Sequence, residues 1–161
     1  MEFNNKLNPQ EVIPHIMLQS SYNKIIDTWD YKQKKNMIII FYHGNRCEIC
    51  KKKLEEYNNI YPRMKDFRYL AEFLAISYDN IDQIKQQAKT SSIDFPMLSD
   101  PEKKITKKFT YNDNSKNAPF PSIFITDKYG ALWYQKIAKK ANQLPSAEEI
   151  LDWSFSINCE C

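Results

Sequence analysis

The 161-residue chain reads as an α/β domain, a central mixed β-sheet flanked by helices on both faces. Three observations predict this. Short apolar runs alternate with amphipathic ones between residues 38 and 109, the pattern of parallel strands joined by helical crossovers. Residues 38–42 and 73–77 are apolar at nearly every position, as expected of strands covered on two sides. Ser122–Thr126 and residues 131–137 flank Asp127-Lys128-Tyr129-Gly130, a hairpin turn that adds antiparallel strands.

Taken in order, residues 1–36 carry only short apolar pieces, Val12-Ile13 and Ile16-Met17-Leu18 around Pro14, and read as an N-terminal extension. Residues 22–29 form a short helix or an edge strand. After the strand at 38–42, a helix carries Leu54, Tyr57, Ile60 or Tyr61, and Met64 on one stripe. Pro62 ends or kinks it near Tyr61. Beyond the strand at 73–77, Asp79 is expected to cap a helix bearing Ile81, Ile84 and Ala88. Residues 95–98 are extended. Asp100 is expected to cap the next helix, with Pro101 at its first position, and residues 112–117 form a polar loop. Ser146-Ala147-Glu148-Glu149, after Pro145, is a capping-box start for a last helix running to about residue 157. No repeat or linker interrupts the chain, so residues 1–161 read as one domain.

Composition excludes several functions. The net charge of +3 is a weak bias, and no basic block interleaves with aromatics as a nucleic-acid groove requires. Lys51-Lys52-Lys53 and the lysines of 32–35 read as solvated faces. The N-terminus lacks an apolar leader core, and the longest apolar run, 37–42, is too short to span a bilayer. No membrane partner is expected, and a cytoplasmic location is the default. Four cysteines in that setting favour redox or metal chemistry over a structural disulfide framework.

The chemistry concentrates at Cys47 and Cys50. A Cys-x-x-Cys that follows a buried strand and opens a helix is what thiol–disulfide exchange needs. Unpaired N–H groups and the positive helix end stabilise a thiolate, and the second thiol lies about one turn away, within reach of a disulfide. Cys47, at the helix start, is expected to attack and Cys50 to resolve. Arg46, Lys51 and His43 add positive potential, and His43 is either an acid/base or a strand-end histidine bonded to backbone. Gly44, one of two glycines, sits where the chain must turn into the motif. Pro121 immediately precedes a strand; a cis Phe120–Pro121 bond there would present backbone groups beside the sulfurs. Cys159 and Cys161 end the chain as a second redox pair, a metal-binding pair or a tail without a role.

These residues carry a resemblance. Phe41-Tyr42-His43-Gly44-Asn45-Arg46-Cys47-Glu48-Ile49-Cys50-Lys51 resembles the "FYRGxWCPxCR" stretch of peroxiredoxin-like proteins of the alkyl hydroperoxide reductase/thiol-specific antioxidant group. The segments at 95–100, 121–130 and 148–161 are similar to other redoxin stretches, so the likeness covers residues 37–161. It implies a thioredoxin fold, Cys47 as nucleophile, Cys50 as resolving thiol and Pro121 as a cis-proline. It implies a protein disulfide or a peroxide as substrate, an external thiol reductant such as a thioredoxin system, and no dissociable cofactor; a homodimer is left open. Arg46 stands where the family often has tryptophan and Ile49 where it often has proline, and no arginine follows Arg68. Peroxiredoxins use such an arginine to polarise the peroxide bond. Disulfide exchange is therefore the first expectation and peroxide reduction the second. A third reading is non-enzymatic, a zinc module held by Cys47, Cys50, Cys159 and Cys161.

Overall fold

A computed structural model describes residues 3–160. The central sheet has five strands. Its middle strand, β3 (Asn36–Phe41), is buried at every position, because each of its two faces meets a hydrophobic layer. β3 pairs in parallel with β4 (Ala71–Ser77) and antiparallel with β8 (Ser122–Thr126). β5 (Met97–Ser99) extends the parallel side, and β9 (Leu132–Ile137) closes the antiparallel side through the hairpin at Gly130. The sheet is mixed, as the alternating runs and the closing hairpin predict.

One face is covered by α1 (Glu48–Ile60), α2 (Ile81–Thr90) and α4 (Ala147–Glu160). Leu54, Tyr57 and Ile60 of α1, Ile84 of α2, and Ile150, Leu151 and Ile157 of α4 pack with Ile38, Ile40, Phe73, Ala75, Ile123 and Ile125 of the sheet. Tyr57 stacks on Phe73 at 5.6 Å between ring centroids and donates its hydroxyl to the carbonyl of Pro145 at 2.7 Å, which ties α1 to the approach of α4. A buried hydroxyl with its partner made avoids the cost of an orphaned polar group. Pro62 does break α1, and a 3-10 turn, Tyr61–Lys65, carries the chain on to β4.

The second face is covered by α3 (Thr106–Phe109) and by the N-terminal segment. Leu7, Ile13, Ile16 and Ile26 are buried against Met37, Ile39, Phe41, Leu74, Ile76 and Phe124. This segment crosses the whole sheet. Glu11 and Ile13 bond the backbone of Leu132 and Gly130 at one edge, and Ser21 bonds Met97 at the other. Between them lies a hairpin, β1 (Met17–Gln19) with β2 (Ile25–Asp27). The N-terminal residues are thus a layer of the core rather than an appendage.

Three local expectations change. Asn80, not Asp79, caps α2, in a reciprocal box with Gln83 at 2.9 and 3.0 Å; Asp79 instead accepts the Asn45 N–H and packs on Gly44. Asp100 opens no helix at residue 101. Lys103 has φ +65, which no helix continues through, so the helix starts only at Thr106, whose N–H and hydroxyl Asp100 accepts at 2.8 and 2.7 Å. The polar stretch at 112–117 is the turn of a small hairpin, β6 (Asn112–Asp113) with β7 (Ala118–Pro119). The last helix does start at a capping box, Ser146 with Glu149. Among the described residues no helix is long and apolar enough to cross a membrane.

Candidate active site

Beyond Phe41 the chain leaves β3 at the end where the parallel strands terminate, the usual place for chemistry in such sheets. It turns at Gly44, whose φ of +127 suits only glycine. A Cβ here would lie 3.1 Å from both carboxylate oxygens of Asp79. That carboxylate accepts the Asn45 N–H at 2.9 Å and the Ser77 hydroxyl at 3.2 Å, so the turn is pinned to the end of β4. Cys47 follows as the N-cap of α1, in extended conformation. Its N–H bonds Gly44 O at 3.2 Å, and its sulfur accepts the Cys50 N–H at 3.2 Å. The helix therefore begins on a sulfur rather than on the oxygen of a Ser or Asp cap.

The two thiols differ in exposure and charge. Cys47 is half-buried, and Cys50 is sealed against Leu54 and the core. A hydrogen bond from the Cys50 thiol is the main reason Cys47 ionises well below the ordinary thiol range. Partial burial opposes this, and the His43 side chain and the Cys50 N–H add to it. The pair works in reverse on Cys50: donating to Cys47 and burial both push its thiol up. The arrangement thus holds a ready nucleophile at the surface and a protonated thiol beneath it.

His43 joins them. Its side chain is only 6% exposed, and a ring nitrogen and the two sulfurs all lie within 4.8 Å of one another. Nε2 stands 3.3 Å from Oδ2 of Asp113. Asp113 is fixed in turn by the N–H and hydroxyl of Ser115 at 3.1 and 2.6 Å. An open cleft of about 490 Å³ lies over Cys47, walled by Asn45, Arg46, Tyr78, Gln83, Lys116 and Ala118 among others. Arg46 and Lys116 are exposed on its rim. His43, Cys47 and Cys50 are also the residues able to hold a metal ion here.

The sequence-predicted site residues fall into two groups. Cys47, Cys50, His43 and Arg46 come together. Pro121 follows β7 and leads into β8, next to the end of β3, but the Phe120–Pro121 bond is trans, so the expected cis-proline is corrected. Phe120 donates its N–H to Tyr111 O at 3.0 Å, and the Pro121 carbonyl accepts from Ala138 at 2.8 Å. The chain thus runs straight from the β6–β7 hairpin into β8, and the ordinary isomer suffices. Ala118, rather than Pro121, walls the cleft.

Cys159 is exposed near the end of α4. Its neighbour Asn158 bonds Asn36 at 2.8 Å, at the first residue of β3. Cys47 lies past the other end of that strand, so the length of β3, about 20 Å at the usual rise, separates the two thiols. Cys159 is thus placed neither to act on Cys47 within the subunit nor to share a zinc shell with Cys47 and Cys50. Cys161 lies outside the described residues.

Two residues of the site carry no local sequence signal. Asp113 reads as a loop aspartate until the β6–β7 hairpin folds it against His43. Asp79 reads as a helix cap; the hint of its other use is the small residue, Gly44, that it packs on.

The profile of the AhpC/TSA family matches residues 9–135. The thiol-disulfide oxidoreductase ResA of Bacillus thuringiensis subsp. konkukian is 28% identical over 118 residues, 73% of this chain and 62% of the relative. The chain therefore spans less than two thirds of the length of the curated relatives it matches. Among solved structures, AhpC of Enterococcus faecalis superposes with a TM-score of 0.80 at 19% identity, covering 92% of this chain and 90% of the other. PrxQ of Xylella fastidiosa gives 0.78 at 18% identity, covering 91% and 94%. At these identities the structural likeness speaks for the fold.

Proposed function

The chain belongs to the AhpC/TSA family, and from that premise we propose that it is a thiol–disulfide oxidoreductase in which Cys47 attacks and Cys50 resolves. The observation that carries this reading is the capping of α1 by the Cys47 sulfur, which accepts the Cys50 N–H at 3.2 Å at the mouth of an open cleft. A thiolate so placed is held by the helix N-terminus and reachable by a partner sulfur.

The Cys47 thiolate attacks one sulfur of a substrate disulfide. A Cys47–substrate disulfide forms, and the other substrate sulfur leaves as a thiolate. Ionisation of Cys47 has then been spent, so the hydrogen bond that kept Cys50 protonated is gone. Cys50 passes its proton to His43, beside which the Asp113 carboxylate stands, and attacks the Cys47 sulfur. The second substrate thiolate departs and the Cys47–Cys50 disulfide remains. An external dithiol, of the kind a thioredoxin system supplies, returns the pair to its reduced form in a reducing compartment such as the cytoplasm.

Peroxide reduction is the second reading, favoured by the family match and by Arg46 on the cleft rim. Here the Cys47 thiolate attacks a peroxide oxygen. The O–O bond breaks, an alcohol or water leaves, and Cys47 becomes a sulfenic acid that Cys50 converts to the same disulfide with loss of water. Single variants separate the roles. With a disulfide substrate, Cys50→Ser accumulates the mixed disulfide and Cys47→Ser does not; equal trapping by both refutes the assignment. Consumption of hydrogen peroxide, driven by a dithiol and far above the rate of free thiols, distinguishes the second reading from the first.

A further inference from the structure

We propose that the reduced protein binds a thiophilic divalent cation, zinc by preference, through His43, Cys47 and Cys50. The three ligand atoms already lie within 4.8 Å of one another. Tetrahedral zinc with two sulfurs and one imidazole needs ligand–ligand edges of roughly 3.5–3.8 Å, so they must close by at most about 1.3 Å, a torsion of Cys47 and a turn of the ring. Spacing alone would not carry the proposal. The second observation is His43 itself: its side chain is only 6% exposed, and its buried Nε2, although 3.3 Å from Asp113 Oδ2, makes no hydrogen bond. A buried imidazole with an unsatisfied nitrogen, held within reach of two sulfurs, is a ligand in waiting.

The surroundings fit a metal of this class. Asp113, 3.3 Å from Nε2 and held by Ser115, sets a negative charge beside the three ligands, which favours a cation there. Two sulfurs and one nitrogen select zinc or its softer congeners over magnesium or calcium, which want oxygen. Cys50 and His43 are buried while Cys47 opens to the cleft. Three protein ligands thus leave the fourth position facing the cleft, open to water or to a substrate thiolate.

Binding converts the Cys50 thiol to a metal thiolate and releases its proton. The same two sulfurs form the Cys47–Cys50 disulfide, so cation and disulfide exclude each other. When a substrate disulfide oxidises the loaded pair, two electrons pass to the substrate, two substrate thiolates leave, and the ion is set free. The site therefore couples the redox state of the pair to the release of a cation.

The test uses the full chain, reduced and freed of metal with a chelator, then titrated anaerobically with cobalt(II). The expected result is one equivalent bound, with the intense visible bands of tetrahedral cobalt and thiolate charge-transfer absorption, both removed by zinc. His43→Ala should lower zinc affinity by more than the roughly 10- to 100-fold expected from losing an outer partner, and Cys159→Ser should change nothing. Oxidising the chain to its Cys47–Cys50 disulfide should release the metal. Absence of a tetrahedral spectrum, an unaltered spectrum in His43→Ala, or loss of binding in Cys159→Ser each overturns the site. Disulfide reduction by the chelated, metal-free protein is scored separately, so failure of the redox reading and failure of the metal site give different results.

Discussion

The backbone N–H of Cys50 points at the sulfur of Cys47, 3.2 Å away, so the first turn of α1 is closed by the thiol it activates. The Cys50 thiol donates to that sulfur as well, and this bond separates the two thiols chemically: it favours a charge on Cys47 and disfavours one on Cys50. A thiol lowered in this way reacts as a thiolate over a wider pH range than the free amino acid. Its alkylation rate should be flat near neutrality and fall only in acid, with a midpoint well below the ~8.5 of an ordinary cysteine. Iodoacetamide labelling followed by mass spectrometry, with chelator present, measures this. Cys47 labelling at pH 6 no faster than a peptide thiol would contradict it. The sign for stability is the same: a group with its folded pKa depressed favours the folded state above the unfolded pKa, and that gain is lost as pH falls through the folded value.

Gly44→Ala tests the turn that delivers Cys47. The residue has φ +127, and its new Cβ would stand 3.1 Å from the Asp79 carboxylate. Strain at such a backbone position costs about 1–3 kcal/mol, and the Asp79 bonds to Asn45 and Ser77 oppose any shift that would relieve it. The expected outcome is a lower denaturation midpoint together with slower Cys47 alkylation. Asp79→Asn, which keeps an oxygen for the Asn45 N–H, should lose less of both.

How much of this could be seen in the sequence follows from how local each signal is. β3, the glycine turn and the Cys-x-x-Cys helix occupy one unbroken stretch, and every clue to them lies within a few residues. The core role of Leu7, Ile13, Ile16 and Ile26 is hidden because these residues obey no single period as the segment crosses from one sheet edge to the other. The cap of α2 lies one residue beyond the one the sequence suggests because Asp79 and Asn80 are equally good caps in isolation, and only the packing of Asp79 on Gly44 decides between them. Asp113 carries no signal for a similar reason, since the His43 it faces lies in the distant turn after β3 and the β6–β7 hairpin alone brings them together.

Asp113→Asn probes that pairing. In the proposed cycle His43 accepts the Cys50 proton during resolution, and the Asp113 carboxylate 3.3 Å away stabilises the charge it gains. Removing the carboxylate's charge should slow collapse of the Cys47 mixed disulfide by roughly 10-fold, less than the roughly 10²–10⁴-fold of a general base itself because Asp113 acts through His43, while leaving the rate of the first attack nearly unchanged. Rapid-mixing kinetics with a chromogenic aromatic disulfide resolve the two phases. The slow phase should also move along the pH axis, which a purely structural defect would not cause. An equal loss in both phases would assign Asp113 to the fold of the hairpin alone.

Glu72 offers a prediction about stability away from the site. It lies on β4, 6% exposed, and accepts the Phe73 N–H at 3.0 Å. Burial is the leading influence on its carboxyl and raises it; Tyr61 and Lys35 pull the other way and do not cancel it. Lys35 is 4.0 Å away and more than a third exposed, so this ion pair is worth well under about 1 kcal/mol. The sign is then fixed. A carboxyl whose folded pKa is raised binds its proton more tightly in the folded state, so it favours folding below the unfolded value of about 4.3. That advantage disappears as pH climbs through the folded value. Glu72→Gln keeps an oxygen for Phe73 and removes the buried charge. It should unfold at a higher urea concentration than the parent at pH 7 and at nearly the same concentration at pH 3. A variant weaker at pH 7 would mean that Lys35 and Tyr61 outweigh desolvation, against the geometry of a lysine nitrogen 4.0 Å away and open to water.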